Sequence, residues 1–317
     1  MVRRRDLILG FGGAAISGPL PAFAQAVGRV YRVGVINIGN NKGPFDAPLV
    51  AGLAHLGYDE GKNLEILRRP ITDVAEVVAS KPDAIIAIGY ASALAAKQET
   101  TLPAVVFSAG DPVATGLVNS VAEPGGHLTG ISDISVEVTP KRMQLLKEFA
   151  PNMRSVAMLW NADDPAMAFR YRASEAGAKA LGISVRPLGV RAPADFETAF
   201  AAMSSDRPDG ILLVSDPLVN LNRKKIFEFA TAHRLPAIYE YDFIVRDGGL
   251  MSYGLDINET FDRVAALVDR ILRGAKPAEL PFEQPTRFRF ALNLRAAREI
   301  GAEPSPSLLA LADEVIE

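Results

Sequence analysis

The sequence predicts an α/β protein of two doubly wound, Rossmann-like lobes joined by a hinge that the chain crosses more than once. Three observations carry this. Short apolar runs rich in β-branched residues alternate with stretches of helical spacing, as parallel strands covered by helices on both faces require. The alternation runs once to about residue 131 and then restarts. One phrase is also written twice, as KPDAIIAIGYAS at 81–92 and RPDGILLVSDPL at 207–218, at comparable places in the two passes.

The first strand is expected over 30–38 (VYRVGVINI), nearly all apolar, and a helix over 48–56 stops at Gly57. A short strand at 64–67 leads to a helix at 74–79 and to the strand 84–88 of the repeated phrase. The next helix, 93–99, is expected to open through Ser92, whose hydroxyl suits an N-cap. Strands at 104–107 and 128–131 end the first pass. The second pass reads helix 140–149, strand 155–160, helix 166–181, strand 184–188 and helix 194–203. Strand 211–214, helix 223–232 and strands 237–239 and 250–253 complete it.

The tail departs from the alternation. Residues 261–272 form an amphipathic helix with Val264, Leu267, Val268, Ile271 and Leu272 on one face. Pro277, Pro281 and Pro285 then punctuate an extended stretch into a strand at 287–292, and 308–316 reads as a short helix. A helix and a strand that follow two complete passes imply a return to the first lobe and a second crossing. The expected lobes are 28–134 with 256–283, and 135–255 with 284–317.

Residues 1–24 are read as a leader rather than part of the fold. Arg3, Arg4 and Arg5 precede a short apolar stretch and then Ala22-Phe23-Ala24, an A-x-A site cut before Gln25. The stretch is too short and glycine-rich to span a bilayer core of ~30 Å. Arg4-Arg5 followed by one residue and two aliphatics resembles a twin-arginine export signal, with a Sec signal carrying a surplus arginine as the alternative. The mature chain is therefore expected in the periplasm.

Composition narrows the partners. The net charge is −3, and the leader holds three arginines and one aspartate, so the mature chain is more acidic still. That argues against a nucleic-acid surface, which needs a basic face. Cysteine is absent, so there is no disulfide, no thiol nucleophile and no cysteine for a lipid anchor. A monomer without a membrane anchor is expected.

Catalytic chemistry is hard to find. His55, His127 and His233 share no ligand spacing, so no metal or other cofactor is expected. Asp163-Asp164 precedes Pro165 at a helix start, where acids cap. No Walker loop, nucleophile elbow or zinc-protease motif occurs, and the chain is not expected to be an enzyme. What recurs is polar residues at the carboxyl ends of strands, where open α/β sheets bind ligands. Asn40, Tyr90, Ser92, Ala93 and Asp111 supply the candidate rim of the first lobe. Asn161, Asp216, Tyr239, Glu240 and Tyr253 supply that of the second, with Tyr241 beside them.

Several stretches together resemble a known family. They are YRVGVINIG (31–39), GLAHLGYDEGKNL (52–64), KPDAIIAIG (81–89), GDPVATGLVNSVAEPGGHLTGIS (110–132), GGLMSYG (248–254), EQPTRFRFALNLRAAREIG (283–301) and SPSLLALADEVIE (305–317). The chain resembles the ABC-transporter substrate-binding proteins related to tryptophan- and aromatic-amino-acid-binding proteins, built on the type I periplasmic binding fold. The resemblance implies capture of a small solute in a cleft between lobes and delivery to a membrane permease. Three places depart from the family wording: the loop GNNKGPFDAP (39–48), Tyr90 and Glu240. Sugar repressors share the two-lobe fold, but no helix-turn-helix precedes the first strand here.

The rim residues suggest a ligand. The helix start at Ser92, with the N–H groups of Ala93 and beyond, suits a carboxylate. Asp111, Asp216 and Glu240 suit an ammonium, and Tyr90, Tyr239, Tyr241 and Tyr253 offer flat faces to a ring or branched chain. No arginine is evidently aimed at the cleft. An apolar or aromatic amino acid is the expected solute, with an aromatic or aliphatic organic acid as the alternative and an exported enzyme as the remote one. N-terminal sequencing of the exported protein should start at Gln25 or within a few residues, and replacing Arg4 and Arg5 by Lys should block export. Retention of Met1 would contradict the first expectation, and unimpaired export the second.

Overall fold

A computed structural model describes residues 28–37, 42–132, 134–214 and 216–317. The expected leader and Asn40 lie outside the described residues. The first pass builds β1 (Tyr31–Asn37), α1 (Asp46–His55), β2 (Leu64–Pro70), α2 (Val74–Ala79), β3 (Ala84–Ile88), α3 (Tyr90–Glu99), β4 (Ala104–Phe107) and β5 (Leu128–Gly130). These strands form a parallel sheet in the order β2-β1-β3-β4-β5. Every residue of β3 and β4 is buried, because helices cover both faces of the sheet.

The second pass builds α4 (Ser135–Phe149), β6 (Ser155–Asn161), α5 (Pro165–Ala180), β7 (Ser184–Val190), α6 (Asp195–Ser205) and β8 (Gly210–Leu213). It continues with α7 (Pro217–Leu221), α8 (Arg223–Ala232), β9 (Ala237–Tyr239), α9 (Asp242–Arg246) and β10 (Met251–Leu255). The tail adds α10 (Ile257–Leu272), β11 (Phe288–Asn293), α11 (Leu294–Glu299), α12 (Pro306–Leu311) and β12 (Glu314–Ile316). The second sheet runs β12-β11-β10-β9-β8-β6-β7, parallel except where β11 meets β10.

The helix α10 packs on α1 of the first lobe. Its apolar face is buried, and Asp256 caps its start by accepting from the Asn258 and Glu259 N–H groups. The tyrosine of the LGY motif, Tyr58, is buried at the end of α1 and donates to Asp269 of α10 at 2.7 Å. Gly52 allows the close approach, since a Cβ there would lie 2.9 Å from the Phe261 carbonyl. The chain next lies along β5, where Thr129 donates to the Leu280 carbonyl at 2.8 Å, and then returns to the second sheet as β11. Three segments thus pass between the sheets: after β5, after β10 and before β11.

Some elements differ from the sequence reading. Helix α4 begins five residues before Pro140 and carries that proline inside. The ring packs where α4 meets α5 so closely that a Cβ on Gly177 would lie 3.2 Å from it, so tertiary contact outweighs the lost backbone bond. Residues 308–316 are not one helix: α12 ends at Leu311 and β12 pairs with β11. Helix α3 begins at Tyr90, with Gly89 at φ +88° as its N-cap, so Ser92 is the third helical residue and not the cap. Gly89 makes the turn because that φ is open to glycine and strained for other residues.

Between β4 and β5 there is no room for a side chain. A Cβ on Gly130 would lie 2.1 Å from the Val106 carbonyl oxygen. Gly130→Ala should therefore destabilise the protein by about 1–3 kcal/mol in urea unfolding, or more if the β4–β5 ladder opens. An unchanged midpoint would show that β5 can shift freely.

Candidate functional site

The carboxyl ends of both sheets face each other across a cavity of about 630 Å³. The first lobe contributes Val35 and Asn37 of β1, Phe45, Asp46 and Leu49 around α1, Arg68 of β2, and Ile88, Gly89 and Ser108 beyond β3 and β4. From the second come Asp216, Pro217, Asn220 and Leu221 of the α7 region, Arg223, and Tyr241, Phe243 and Asp247 around α9. Its floor is aromatic. The ring of Phe45 meets Tyr241 edge-on at 5.5 Å and Phe243 at 5.8 Å, and Tyr241 stacks on Phe243 at 5.5 Å.

The lobes touch at several points. A Cβ on Gly89 would lie 3.8 Å from the Pro217 ring, and one on Gly110 would lie 3.0 Å from Ala166 of α5. The Ser108 hydroxyl bonds the buried Tyr241 phenol, whose pKa burial and the Glu240 charge push up to about 12. Ser108 holds φ +57°, a left-handed conformation that non-glycine residues seldom adopt. A second chamber of about 370 Å³ holds Tyr90, Asn161, Asp163 and Asp164 in its walls. Gly89 and Pro217 line both chambers, so they stand where the two chambers meet.

Asp216 is the residue with the most unusual environment. It is 4% exposed and caps α7, its Oδ1 accepting from the Val219 N–H at 2.7 Å. Its Oδ2 is buried without a partner of good geometry, although the Asn161 side chain is near enough to ease the charge. Burial pushes its pKa up to about 6, helped by Asp164 and opposed by the Val219 N–H, Asn161 and Arg170. Pro217 follows Asp216 in the chain and lines both chambers together with Gly89, so this carboxylate lies on the same stretch of wall as the start of α3. The first three N–H groups of that helix lack intrahelical partners and form its positive end.

The other candidate residues are distributed differently from expectation. The Ala93 N–H already donates to the Gly89 carbonyl at 3.0 Å, so the free donors are those of residues 90–92. Ser92 is fully buried, with a hydroxyl that has no partner, and Ala93 is buried in an apolar cluster. Asp111 is exposed and accepts from Val113 and Ala114, which makes it a turn cap outside the cavity. Tyr239 is 1% exposed, edge-on to Phe227 at 5.4 Å in the core, and lines neither chamber. Tyr253 stacks on Phe288 at 6.1 Å and lines neither chamber.

Glu240 also lines neither chamber. It is 3% exposed and paired with Arg142 of α4 at 2.7 Å and Arg170 of α5 at 3.4 Å, so its charge is already matched within the second lobe. The cleft does contain arginines, contrary to expectation. Arg68 is held by Asp46 and Glu60, and Arg223 by Asp247 at 2.6 Å. Sequence reading missed both, along with Phe45 and Phe243. The available signal was the unusual loop GNNKGPFDAP for Phe45 and the aromatic run YEYDF for Phe243. Among the described residues no group of three His, Cys, Asp or Glu could hold a metal ion, and no helix is long and apolar enough to cross a membrane.

Residues 47–316 match the family described as ABC transporter substrate binding protein. The chain belongs to that family. The tyrosine-binding protein of Clostridioides difficile strain R20291 is 24% identical over 242 residues, which are 73% of this chain and 69% of that one. Among solved structures, a conserved domain protein from Vibrio cholerae superposes with a TM-score of 0.84 at 26% identity, covering 90% of this chain and 100% of that one. An ABC domain from Streptococcus pneumoniae in complex with L-Trp gives 0.82 at 22% identity, with the same coverage. The fold is that of a type I periplasmic binding protein. As a member of this family, the substrate-binding protein is not an enzyme.

In this substrate-binding protein the ligand-free cleft carries a cost at Asp216. Its folded-state pKa lies above the unfolded value of about 4. The folded state therefore binds the proton more tightly, and stability falls as pH rises from about 4 to about 6. Above that the penalty is complete, on the order of 3 kcal/mol. Asp216→Asn keeps a capping oxygen and removes the charge. The ligand-free variant should melt above the native protein at pH 8 and equally with it near pH 4. Equal melting at both values would mean that Asp216 ionises without penalty.

Proposed function

We propose that the protein captures an apolar or aromatic amino acid in the periplasm and delivers it to the permease of an ABC transporter. The observation that carries the reading is the pairing of opposites where the two chambers meet. The unpartnered Oδ2 of Asp216 lies in one lobe and the free N–H groups opening α3 lie in the other, beside an aromatic floor. A zwitterion meets both needs at once, its ammonium taking the carboxylate and its carboxylate the helix start. Asn161 and Tyr90 stand beside this pair in the second chamber. The relatives named for tyrosine and solved with L-Trp support an aromatic or large apolar side chain.

Residues 28–134 with 256–283 then act as one lobe and 135–255 with 284–317 as the other, closing as a monomer on the solute. Only ligand that touches both rims favours the closed arrangement, by its differential affinity for it. The leader removed after Ala24 accounts for the periplasmic location.

Isothermal titration with L-Phe, L-Trp, L-Tyr and L-Leu against 3-phenylpropionate tests the reading. The amino acids should bind at least tenfold more tightly than the acid, and Asp216→Asn should erase that difference. Affinity should fall as pH drops through about 6, where Asp216 takes up its proton. If phenylpropionate binds equally well, the solute is an organic acid. Binding of sugars alone would overturn the proposal.

A further inference from the structure

The cleft contains an aromatic box, and the chain fills it with its own side chain. Phe45 is surrounded by four rings. Phe107 lies 5.5 Å away and Tyr241 5.5 Å, both edge-to-face, with Phe243 at 5.8 Å edge-to-face and Phe261 stacked at 5.7 Å. Two of these walls, Phe107 and Phe261, come from β4 and α10 of the first lobe, and the other two from the α9 region of the second. Edge-on and face-on contacts at such spacings are what a bound benzyl group would seek.

Local structure does not call for a phenylalanine here. Phe45 occupies the N-cap of α1 and makes no side-chain capping bond, at a position where Ser, Thr, Asp or Asn would satisfy a free N–H. A residue placed against local preference owes its place to packing or function. Nor is Phe45 an ordinary core residue, because it is only half-buried and lines the large chamber. Removing the ring would thus leave a box that opens into the ligand cavity, rather than a sealed void.

We infer that Phe45 is a specificity-determining residue that occupies the innermost aromatic subsite of the cleft and limits how deep a ligand side chain can reach. The ligand's own side chain then rests on the outer edge of Phe45 and on Tyr241 and Phe243. Shortening Phe45 turns the box into a receptor for a ring. The selectivity arm of this inference rests on the amino-acid reading above; the ring-binding arm does not.

Two measurements on Phe45→Ala and Phe45→Leu test it. Indole and toluene, which carry no zwitterion, should raise the melting temperature of Phe45→Ala, since an apolar cavity of ring size binds a ring, and should leave the native protein unmoved. In titration, the ratio of L-Trp to L-Leu affinity should rise at least tenfold in Phe45→Ala relative to the native protein. Phe45→Leu keeps part of the volume, and a smaller shift in the same direction is expected; it also serves if the alanine variant does not fold. Ring stabilisation without binding of any amino acid would sink the amino-acid reading and leave the box standing. Absence of ring stabilisation in the folded alanine variant, or an unchanged affinity ratio in the leucine variant alongside measurable amino-acid binding, would overturn the inference.

Discussion

A buried carboxylate organises the second lobe. Glu240 is almost wholly removed from water, and an unpaired charge there would be prohibitive, so Arg142 of α4 and Arg170 of α5 must both reach it. Arg142 also donates its Nε–H to the Tyr253 carbonyl of β10 at 2.7 Å. One cluster thereby ties two helices to two strands directly behind the cleft. The strands are drawn close enough that a Cβ on Gly254 would lie 1.9 Å from the Glu240 carbonyl oxygen. With Glu240 held, its neighbours Tyr239 and Tyr241 are both buried in one core cluster, and Tyr241 also reaches the cavity. Losing one partner of such a cluster typically costs about 3–5 kcal/mol, so the cleft wall inherits the stiffness of the pair.

Around the cleft both lobes carry unfavourable features. Asp216 keeps one oxygen buried and unpartnered, Ser108 holds a strained backbone, and the Ser92 hydroxyl is buried without a bond. Each lowers the stability of the ligand-free protein. Together they surround Gly89 and Pro217, where a solute with opposite charges would relieve the largest of them. This is the usual relation between strain and binding: the surrounding fold over-determines a conformation that the ligand then completes.

The hinge follows from the route of the chain. Because α10 must return to α1 and the stretch after it must lie along β5, three segments span the gap between sheets. These connections lie side by side at one end of the gap. The aromatic floor lies between these lobes, with Phe45 from one side against Tyr241 and Phe243 from the other. The same rings that would contact a ligand also hold the lobes together.

Much of this architecture is local and could be read from the chain. Burial on both faces writes continuous β-branched runs, as in β1 and β3, and a one-sided helix such as α10 writes its stripe. The two passes, the late return and the family stretches were legible for that reason. Short elements were not: α7, α9 and α11 span less than two turns, and β12 exists because β11 offers it an edge. Site membership was legible only in part. Asp216, at the end of a strand, lines the cavity, whereas Glu240 lines neither chamber and is bonded to Arg142, 98 residues earlier in the chain. Tyr239 and Tyr241 lie two apart, read alike and share one buried cluster, yet only Tyr241 reaches the cavity. Which side chain meets which partner depends on contacts between distant segments, and periodicity within a segment carries no record of them.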